Sequence, residues 1–501
     1  MIVRLALVLA LVLAPVLGDT PSSSGARAIE LHVLAVDKNG KPVKDLTSDN
    51  FHVVDDGVEQ KVALVRYDDI SDSPMSPLGP NEFSNRGNGK LPHATVILFD
   101  LLNQNDTVAT QKLALSQIVY TLSRLKTADN LYLYILTTDG TLFEVHGLPE
   151  AAESHSGSEV PWTSQIKPIM DRAMQIVSQP AARPVPLSDQ PALSYEIFDQ
   201  SKLTFQAFGA LGVKLSGIAG RKNLVWVTQG LSIDPEASEL SALADAFAHW
   251  NIAIYPAWDS TFAGSTFRNQ QVVGKEGSLK DFAETTGGRR DHRGNDVGAV
   301  VNQAMKDAQD GSYTVEYSPA QENWNGKFHK LNVSCNRKGV LIQTETGYYD
   351  FAHPSATLAQ EASRMTSSET FDTAGIGLIA RISRDSEEHG TLRTRMMMTH
   401  VDLIIDAHDI AFVRDENGYV ARLQGYFVRY PVSHLVQRAP VLNRVFHYSA
   451  EQREEALKHG IDFELKIRLG ESGDRIRFFV VDQGSEAVGS VTVPVDAIQD
   501  N

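Results

Sequence analysis

Oxygen-bearing side chains directly follow segments whose composition is typical of buried strands. Residues 95–99 form one such segment, and residues 223–228 and 252–256 form two more. The residues of interest after these three segments are Asp100, Asn103, Gln104, Asn105 and Asp106, then Gln229 and Asp234, and then Trp258 and Asp259. Carboxylate and amide oxygens suit a hard divalent cation such as Mg²⁺ or Ca²⁺, with Asp100 as the candidate ligand. The alternative is a capped loop in which Asp100 accepts hydrogen bonds from backbone amides.

The same residues predict a binding surface even without a cation. The carboxyl ends of parallel strands meet at one edge of an open α/β sheet, where ligands commonly bind. Trp258 is either an anchor for a protein partner, since tryptophan is enriched at interface hot spots, or a buried corner residue. We therefore expect no required cofactor, and a protein partner at this edge.

Motifs for catalysis are missing from the sequence. It contains no Gly-x-Ser-x-Gly elbow, His-Glu-x-x-His helix, paired-cysteine zinc spacing or glycine-rich phosphate loop. His292 and His400 each stand alone, which favours a solvated or structural role. The adjacent acids Asp55 and Asp56 are interpreted as solvated surface, because neighbouring residues of a strand point to opposite faces. No catalytic residue is predicted.

Charge and the N-terminus bear on location and partners. Arg4 precedes an apolar run from Leu5 to Leu17, which is typical of a secretory signal peptide and is too short for a membrane span. Its removal changes the formal charge from −16 to −17, because Arg4 is lost. An acidic chain repels nucleic-acid phosphates, so nucleic-acid binding is not expected. We expect an exported protein, periplasmic or extracellular, with no membrane span in the mature chain.

The 501 residues exceed what one hydrophobic core normally serves. In the middle of the chain, strands alternate with helical patterns, which predicts a doubly wound α/β fold with a mostly parallel sheet. The flanking segments show strand patterns, and the last one favours a β-sandwich. The predicted units are a signal peptide (1–18), a small β unit (28–70), a linker (71–91), the α/β domain (92–310), a β extension pairing with the first unit (311–352) and a C-terminal β-rich domain (370–501).

An ordered series of short motifs gives this chain a family resemblance over roughly residues 28–351. The series consists of Gly40–Val43, Leu46-Thr47, Asp49–Phe51, Asp56-Gly57, Val96–Asn103, Gly220–Thr228, Tyr313–Pro319 and Gly347–Tyr349. It resembles the acidobacterial VWFA-related proteins, whose central domain is of the von Willebrand factor type A class. The resemblance implies that fold and export, but it supplies no biochemical activity.

The resemblance also implies where a metal would bind. Adhesive type A domains place Asp-x-Ser-x-Ser after the first strand, a threonine in a later loop and Asp-Gly after the fourth strand. Here the corresponding segments are residues 100–104 and Gln229-Gly230, and Asp100 alone is unchanged. Leu102 cannot bind a metal, and Gln104 and Gln229 offer neutral oxygens in place of hydroxyl and carboxylate ligands. The resemblance thus implies a degenerate metal-ion-dependent adhesion site.

Two functions from different classes remain open from the sequence. The favoured one is an exported, non-catalytic module for protein–protein interaction or adhesion. The alternative is a secreted hydrolase or carbohydrate-active protein with its site in the C-terminal β-rich domain.

Overall fold

The structure is a computed structural model of the full chain. It describes residues 28–68, 78–86, 93–103, 112, 115–116, 119, 130–148, 162–178, 192–218, 220–228, 230, 243–244, 246–248, 250–258, 279–280, 282–289, 297–319, 327–350, 372–384, 398–415, 418–432, 436–468, 471–485 and 487–499. The predicted signal peptide lies outside these residues.

Strands dominate the described residues. The first ten are β1 Ile29–Asp37, β2 Phe51–Asp55, β3 Val58–Gln60, β4 Val62–Asp68, β5 Glu82–Ser84, β6 Ala94–Asp100, β7 Leu131–Leu136, β8 Leu142–His146, β9 Lys222–Thr228 and β10 Ile252–Trp258. The remainder are β11 Ser312–Tyr317, β12 Phe328–Cys335, β13 Val340–Gln343, β14 Gly347–Tyr349, β15 Leu378–Arg384, β16 Met398–Ile405, β17 Val413–Asp415, β18 Gly418–Tyr430, β19 Gln437–Arg438, β20 Leu442–Tyr448, β21 Ile461–Arg468, β22 Arg475–Asp482 and β23 Val488–Pro494. The α-helices with described bounds are α1 Trp162–Val177, α2 Ala192–Ser216, α3 Val297–Gln309 and α4 Ala450–His459.

One five-stranded sheet contains all the parallel pairs among the described strands. Its order is β10-β9-β6-β7-β8, and β8 pairs antiparallel with β7. Every described residue of β6, β7 and β9 is buried, as expected for strands covered on both faces. Residues from α1 and α3 pack in the core on one face, and residues from α2 pack on the other.

The prediction that the chain has a doubly wound α/β fold is wrong. The described residues form five sheets, and the other four are wholly antiparallel. Strand accounts for 47% of the described residues and helix for 25%, so this part of the chain is mainly β. The alternation of strands and helices covers the middle of the chain alone, whereas the flanks form half-exposed antiparallel strands. Strand β21, for example, alternates strictly between buried and exposed residues.

Two further sheets join segments from before and after the central sheet. Their orders are β13-β1-β11-β4 and β14-β12-β2-β3, and they share one hydrophobic core. Strand β1 lies antiparallel to both β11 and β13, and β2 lies antiparallel to β12. These pairings hold residues about 280 positions apart in the chain against one another, since Val53 faces Val333.

The last two sheets pack around a common core in the C-terminal part. Their orders are β21-β16-β15-β5 and β17-β18-β22-β23, and β19 and β20 also pair with β18. Strand β5 belongs to the segment predicted as a linker, and it pairs with β15. The division into domains stays a prediction. No helix within the described ranges has the length and apolar composition to cross a bilayer.

Candidate functional site

Asp100 lies at the centre of the predicted binding edge. It is the last residue of β6, which runs between β7 and β9 in the parallel part of the sheet. Thr228 ends the neighbouring strand β9. Because parallel strands end at the same edge, these two side chains are brought together, and the Thr228 Oγ1 lies 2.9 Å from Asp100 Oδ2.

The Asp100 carboxylate is completely buried and accepts four hydrogen bonds. Oδ2 accepts from Asn103 Nδ2 at 2.7 Å, from Trp226 Nε1 at 2.9 Å and from Thr228 Oγ1 at 2.9 Å. Oδ1 accepts from the Asn103 backbone amide at 3.1 Å. The second hydrogen of the Asn103 amide group is donated to Thr204 Oγ1 at 2.9 Å. Three donors on one oxygen leave it no lone pair for a cation.

Burial and hydrogen bonding shift the pKa of the Asp100 carboxyl in opposite directions. Burial raises the pKa of Asp100 above its ordinary value, and the donors from Asn103, Trp226 and Thr228 partly offset that rise. Oδ2 is thus fully occupied by hydrogen bonds, whereas Oδ1 accepts one bond from a described residue, so the role of Asp100 as a metal ligand stays a prediction. Three of the four donors are side chains and one is a backbone amide, and together they hold Asp100 at the end of β6.

Asn103, also predicted for the surface, is buried and serves as the main partner of Asp100. Trp258 is the last residue of β10 and pairs in register with Thr228, but its side chain is outside the described part. The other predicted surface residues, Gln104, Asn105, Asp106, Gln229, Asp234 and Asp259, also lie outside the described residues. The full binding edge therefore stays a prediction.

Sequence reasoning missed three partners of the Asp100 network. Trp226 belongs to the segment predicted as a buried strand, and its indole N–H donates to the carboxylate. Thr228 could have been found, because it ends the strand adjacent to β6. Thr204 comes from α2, about 100 residues later, and no local pattern in the sequence indicates its contact with Asn103.

A second polar cluster surrounds His329, and it corrects the interpretation of Asp55 and Asp56 as solvated surface. Asp55 is buried, with 5% of its surface exposed, whereas the Asp56 side chain is 43% exposed. His329 Nδ1 lies 3.1 Å from Asp56 Oδ2 and 3.6 Å from Asp55 Oδ1. His329 Nε2 lies 2.9 Å from Oδ2 of the buried Asp350. These residues come from three separate segments of the chain, so their spacing in the sequence gives no signal.

Comparison with known proteins gives a weak structural similarity. No family profile and no curated protein matches the sequence. Among solved structures, the manganese-loaded TRAP protein of Plasmodium vivax aligns with 54% of this chain and 99% of that chain, at 12% identity and a TM-score of 0.21. A similarity at this level carries no argument about function.

A third feature is a largely exposed segment in the C-terminal part. We use "the arm" for residues 429–432 and 436–445, which contain the end of β18, strand β19 and the first half of β20. All its residues from 436 to 445 are exposed except the half-buried Ala439. Five of the nine large hydrophobic side chains that are exposed in the described residues belong to it: Val432, Val436, Val441, Leu442 and Val445. Scattered exposed apolar residues are normal, whereas this concentration makes the arm a candidate interaction surface.

Proposed function

We propose that this chain is an exported, non-catalytic protein-binding module, and that the arm binds an extended acidic segment of a partner protein. The concentration of exposed apolar residues on the arm is the observation that carries this proposal. Export is inferred from the N-terminal sequence alone. The lack of catalytic motifs and the hydrogen-bonded state of Asp100 favour binding without catalysis.

The hydrogen-bonding pattern of β20 supports strand addition. Residues 442–448 pair with β18 on one side, and no described strand pairs with the other side of β20. An unpaired strand edge offers backbone donors and acceptors to an incoming strand. Pro440 lacks an amide hydrogen and separates β19 from β20, so we place the added strand along β20.

The charge of the surrounding sequence selects the partner. Residues 418–448 contain four arginines and no aspartate or glutamate, although the whole chain has a net charge of −16. Arg438 and Arg444 are exposed on the arm itself. This region would attract an acidic partner protein. A second copy of the chain is less suited, because the acidic remainders of the two copies would repel each other.

A peptide selection tests the proposal directly. The mature chain would be screened against a displayed library of random peptides, and binding of the selected sequences would be measured by fluorescence anisotropy. We expect acidic residues interspersed with alternating apolar ones. Val445→Asp and Arg444→Glu should each weaken binding at least about tenfold, equivalent to 1.4 kcal/mol.

The matched control is Leu341→Asp, because Leu341 is also exposed but lies in β13. Its binding should equal that of the unmodified chain. Selected peptides without an acidic bias, or equal binding by Val445→Asp, would contradict the proposal. Sedimentation velocity tests the alternative that the arm binds a second copy of the chain. A dimer that dissociates in the Val445→Asp variant would support that alternative and contradict the proposal.

A further inference from the structure

We propose that Asp55, Asp56 and His329 bind one divalent transition-metal ion, with zinc the best fit. The three side chains meet at the turn between β2 and β3. Asp55 ends β2, and Asp56 and Gly57 have φ angles of 46° and 84°, so the chain reverses there. His329 lies near the start of β12, which is hydrogen-bonded to β2.

The distances between the ligand atoms match a tetrahedral site. One ligand atom from each of Asp55, Asp56 and His329 lies within 4.8 Å of the other two, and His329 Nδ1 lies 3.6 Å from Asp55 Oδ1 and 3.1 Å from Asp56 Oδ2. Zinc bonds to nitrogen and oxygen of about 2.0–2.1 Å at tetrahedral angles separate neighbouring ligands by roughly 3.3 Å. A small adjustment would therefore place all three atoms around one ion.

Asp350 orients the imidazole for this role. Its Oδ2 lies 2.9 Å from His329 Nε2, which favours the tautomer that donates from Nε2. The lone pair of Nδ1 then points toward Asp55 and Asp56. Metal-binding histidines commonly donate their other ring N–H to a carboxylate in this way.

Hydrogen bonds to their other oxygens also orient the two carboxylate ligands. Asp55 Oδ2 accepts from Tyr317 at 3.0 Å and from Tyr348 at 2.9 Å, so Asp55 Oδ1 faces the histidine. Asp56 Oδ1 accepts from the Lys330 backbone amide at 2.8 Å, which leaves Asp56 Oδ2 toward the site.

A buried atom without a hydrogen-bond partner is the second, independent observation. Asp55 Oδ1 is inaccessible to solvent and accepts no hydrogen bond from any residue in the described ranges. Leaving a buried carboxylate oxygen unsatisfied is costly, and a cation at the site would satisfy it. The carboxylates of Asp55, Asp56 and Asp350 face a single imidazole here, and a dication would offset part of their negative charge.

The mixed ligand set decides the class of metal. Imidazole and carboxylate together suit zinc and its first-row neighbours, while Mg²⁺ and Ca²⁺ prefer oxygen alone. Three protein ligands leave a fourth position for water, and the partial exposure of Asp56 opens that position to solvent.

Metal titration of the full mature chain tests this site. After removal of metal with a chelator, calorimetry with Zn²⁺ should give one equivalent bound. Replacement by Co²⁺ should give the intense visible absorption of tetrahedral cobalt, which reports coordination without any mutation. His329→Ala should lower zinc affinity at least about 100-fold. Asp350→Asn should lower it about 10- to 100-fold, because it leaves all three ligands in place.

His52→Ala is the matched control. His52 lies in the same strand as Asp55, and its Nδ1 contacts Glu59 at 3.1 Å on the exposed face. Its loss should leave zinc affinity unchanged. Absence of zinc binding, an octahedral cobalt spectrum, or equal binding by a folded His329→Ala variant would overturn the proposal. Circular dichroism establishes folding for each variant, and the cobalt spectrum of the unmodified chain decides the matter if His329→Ala does not fold.

Discussion

Asp100 illustrates how one buried side chain can organise a strand end. Its carboxylate connects β6 to β9 through Thr228 and to α2 through Asn103 and Thr204. A charged acceptor with several donors is stabilised by each of them, and its removal leaves these donors without a partner. The local fold thus depends on this carboxylate at the end of β6.

Replacing Asp100 by Asn tests this structural role. The amide brings hydrogens toward groups that themselves donate, so we expect the free energy of unfolding to fall by about 2–4 kcal/mol. Urea denaturation measures the change. The control is Asp462→Asn in β21, where the residue is exposed and the effect should stay within about 0.5 kcal/mol. Equal stability of Asp100→Asn and the unmodified chain would contradict the role assigned to Asp100.

Lys222 gives a prediction about pH. It is buried at the start of β9, and its ammonium donates to the Ile218 carbonyl at 2.9 Å. Burial, followed by the charges of Arg86 and Arg221, lowers the pKa of Lys222 to about 7. Above that pH the unfolded chain keeps a proton that the folded chain has lost. Stability should therefore rise with pH between 7 and the ordinary lysine value, by up to about 1.4 kcal/mol per pH unit.

Lys222→Met removes this contribution. The free energy of unfolding of both proteins would be measured by urea denaturation at several values from pH 7 to 9.5. The advantage of the variant over the unmodified chain should be largest at pH 7 and should decrease as the pH rises. Tyrosines with raised pKa values contribute equally to both proteins. A difference that is independent of pH would show that Lys222 does not titrate in this range.

At the scale of the elements, contact between the two C-terminal sheets requires a glycine. Gly425 lies in β18, and a Cβ at this position would be 2.5 Å from two ring atoms of the buried Phe463 in β21. The backbone of one sheet therefore approaches the aromatic ring of the other more closely than any side chain would permit.

Gly425→Ala should lower the free energy of unfolding by about 1–3 kcal/mol through overpacking. Gly209→Ala in α2 is the opposite case, because a Cβ there meets no atom within 4 Å. That variant should gain up to about 1 kcal/mol from helix propensity. Thermal and urea denaturation of the pair measure both effects, and destabilisation by Gly209→Ala or none by Gly425→Ala would refute this packing account.

The sequence predicted elements better than it predicted their partners. The apolar runs at residues 95–99, 223–228 and 252–256 predict buried strands, and they form β6, β9 and β10. These signals are local, because burial on both faces requires a continuous apolar run. The approach of His329 to Asp55 depends instead on the pairing of β12 with β2, which no short-range pattern determines. The second cluster was missed for that reason.

At the scale of the whole molecule, the doubly wound α/β class is wrong because it was taken from the middle of the chain, although the flanking segments also show strand patterns. Parallel pairing is confined to one sheet, and strands on both flanks build the four antiparallel ones. Two residues of the same type can also differ in burial, which their sequence does not indicate. Asp55 and Asp56 are neighbours, but the turn at Asp56 buries the first and exposes the second.

The distribution of charge over the molecule favours one binding region. A chain with a net charge of −16 carries four arginines and no acidic residue between positions 418 and 448, where the exposed valines of the arm also lie. Apolar surface next to charge of the opposite sign to the rest of the molecule combines affinity with long-range attraction.

Amide hydrogen exchange tests strand addition at the arm most directly. The mature chain would be compared with and without a saturating selected peptide, with Val445→Asp measured in parallel. We predict slower exchange within residues 442–448 on peptide binding, and no such change in Val445→Asp. Unchanged exchange in β20 while the peptide is bound, with protection elsewhere in the chain, would contradict the assignment of the arm as the binding surface.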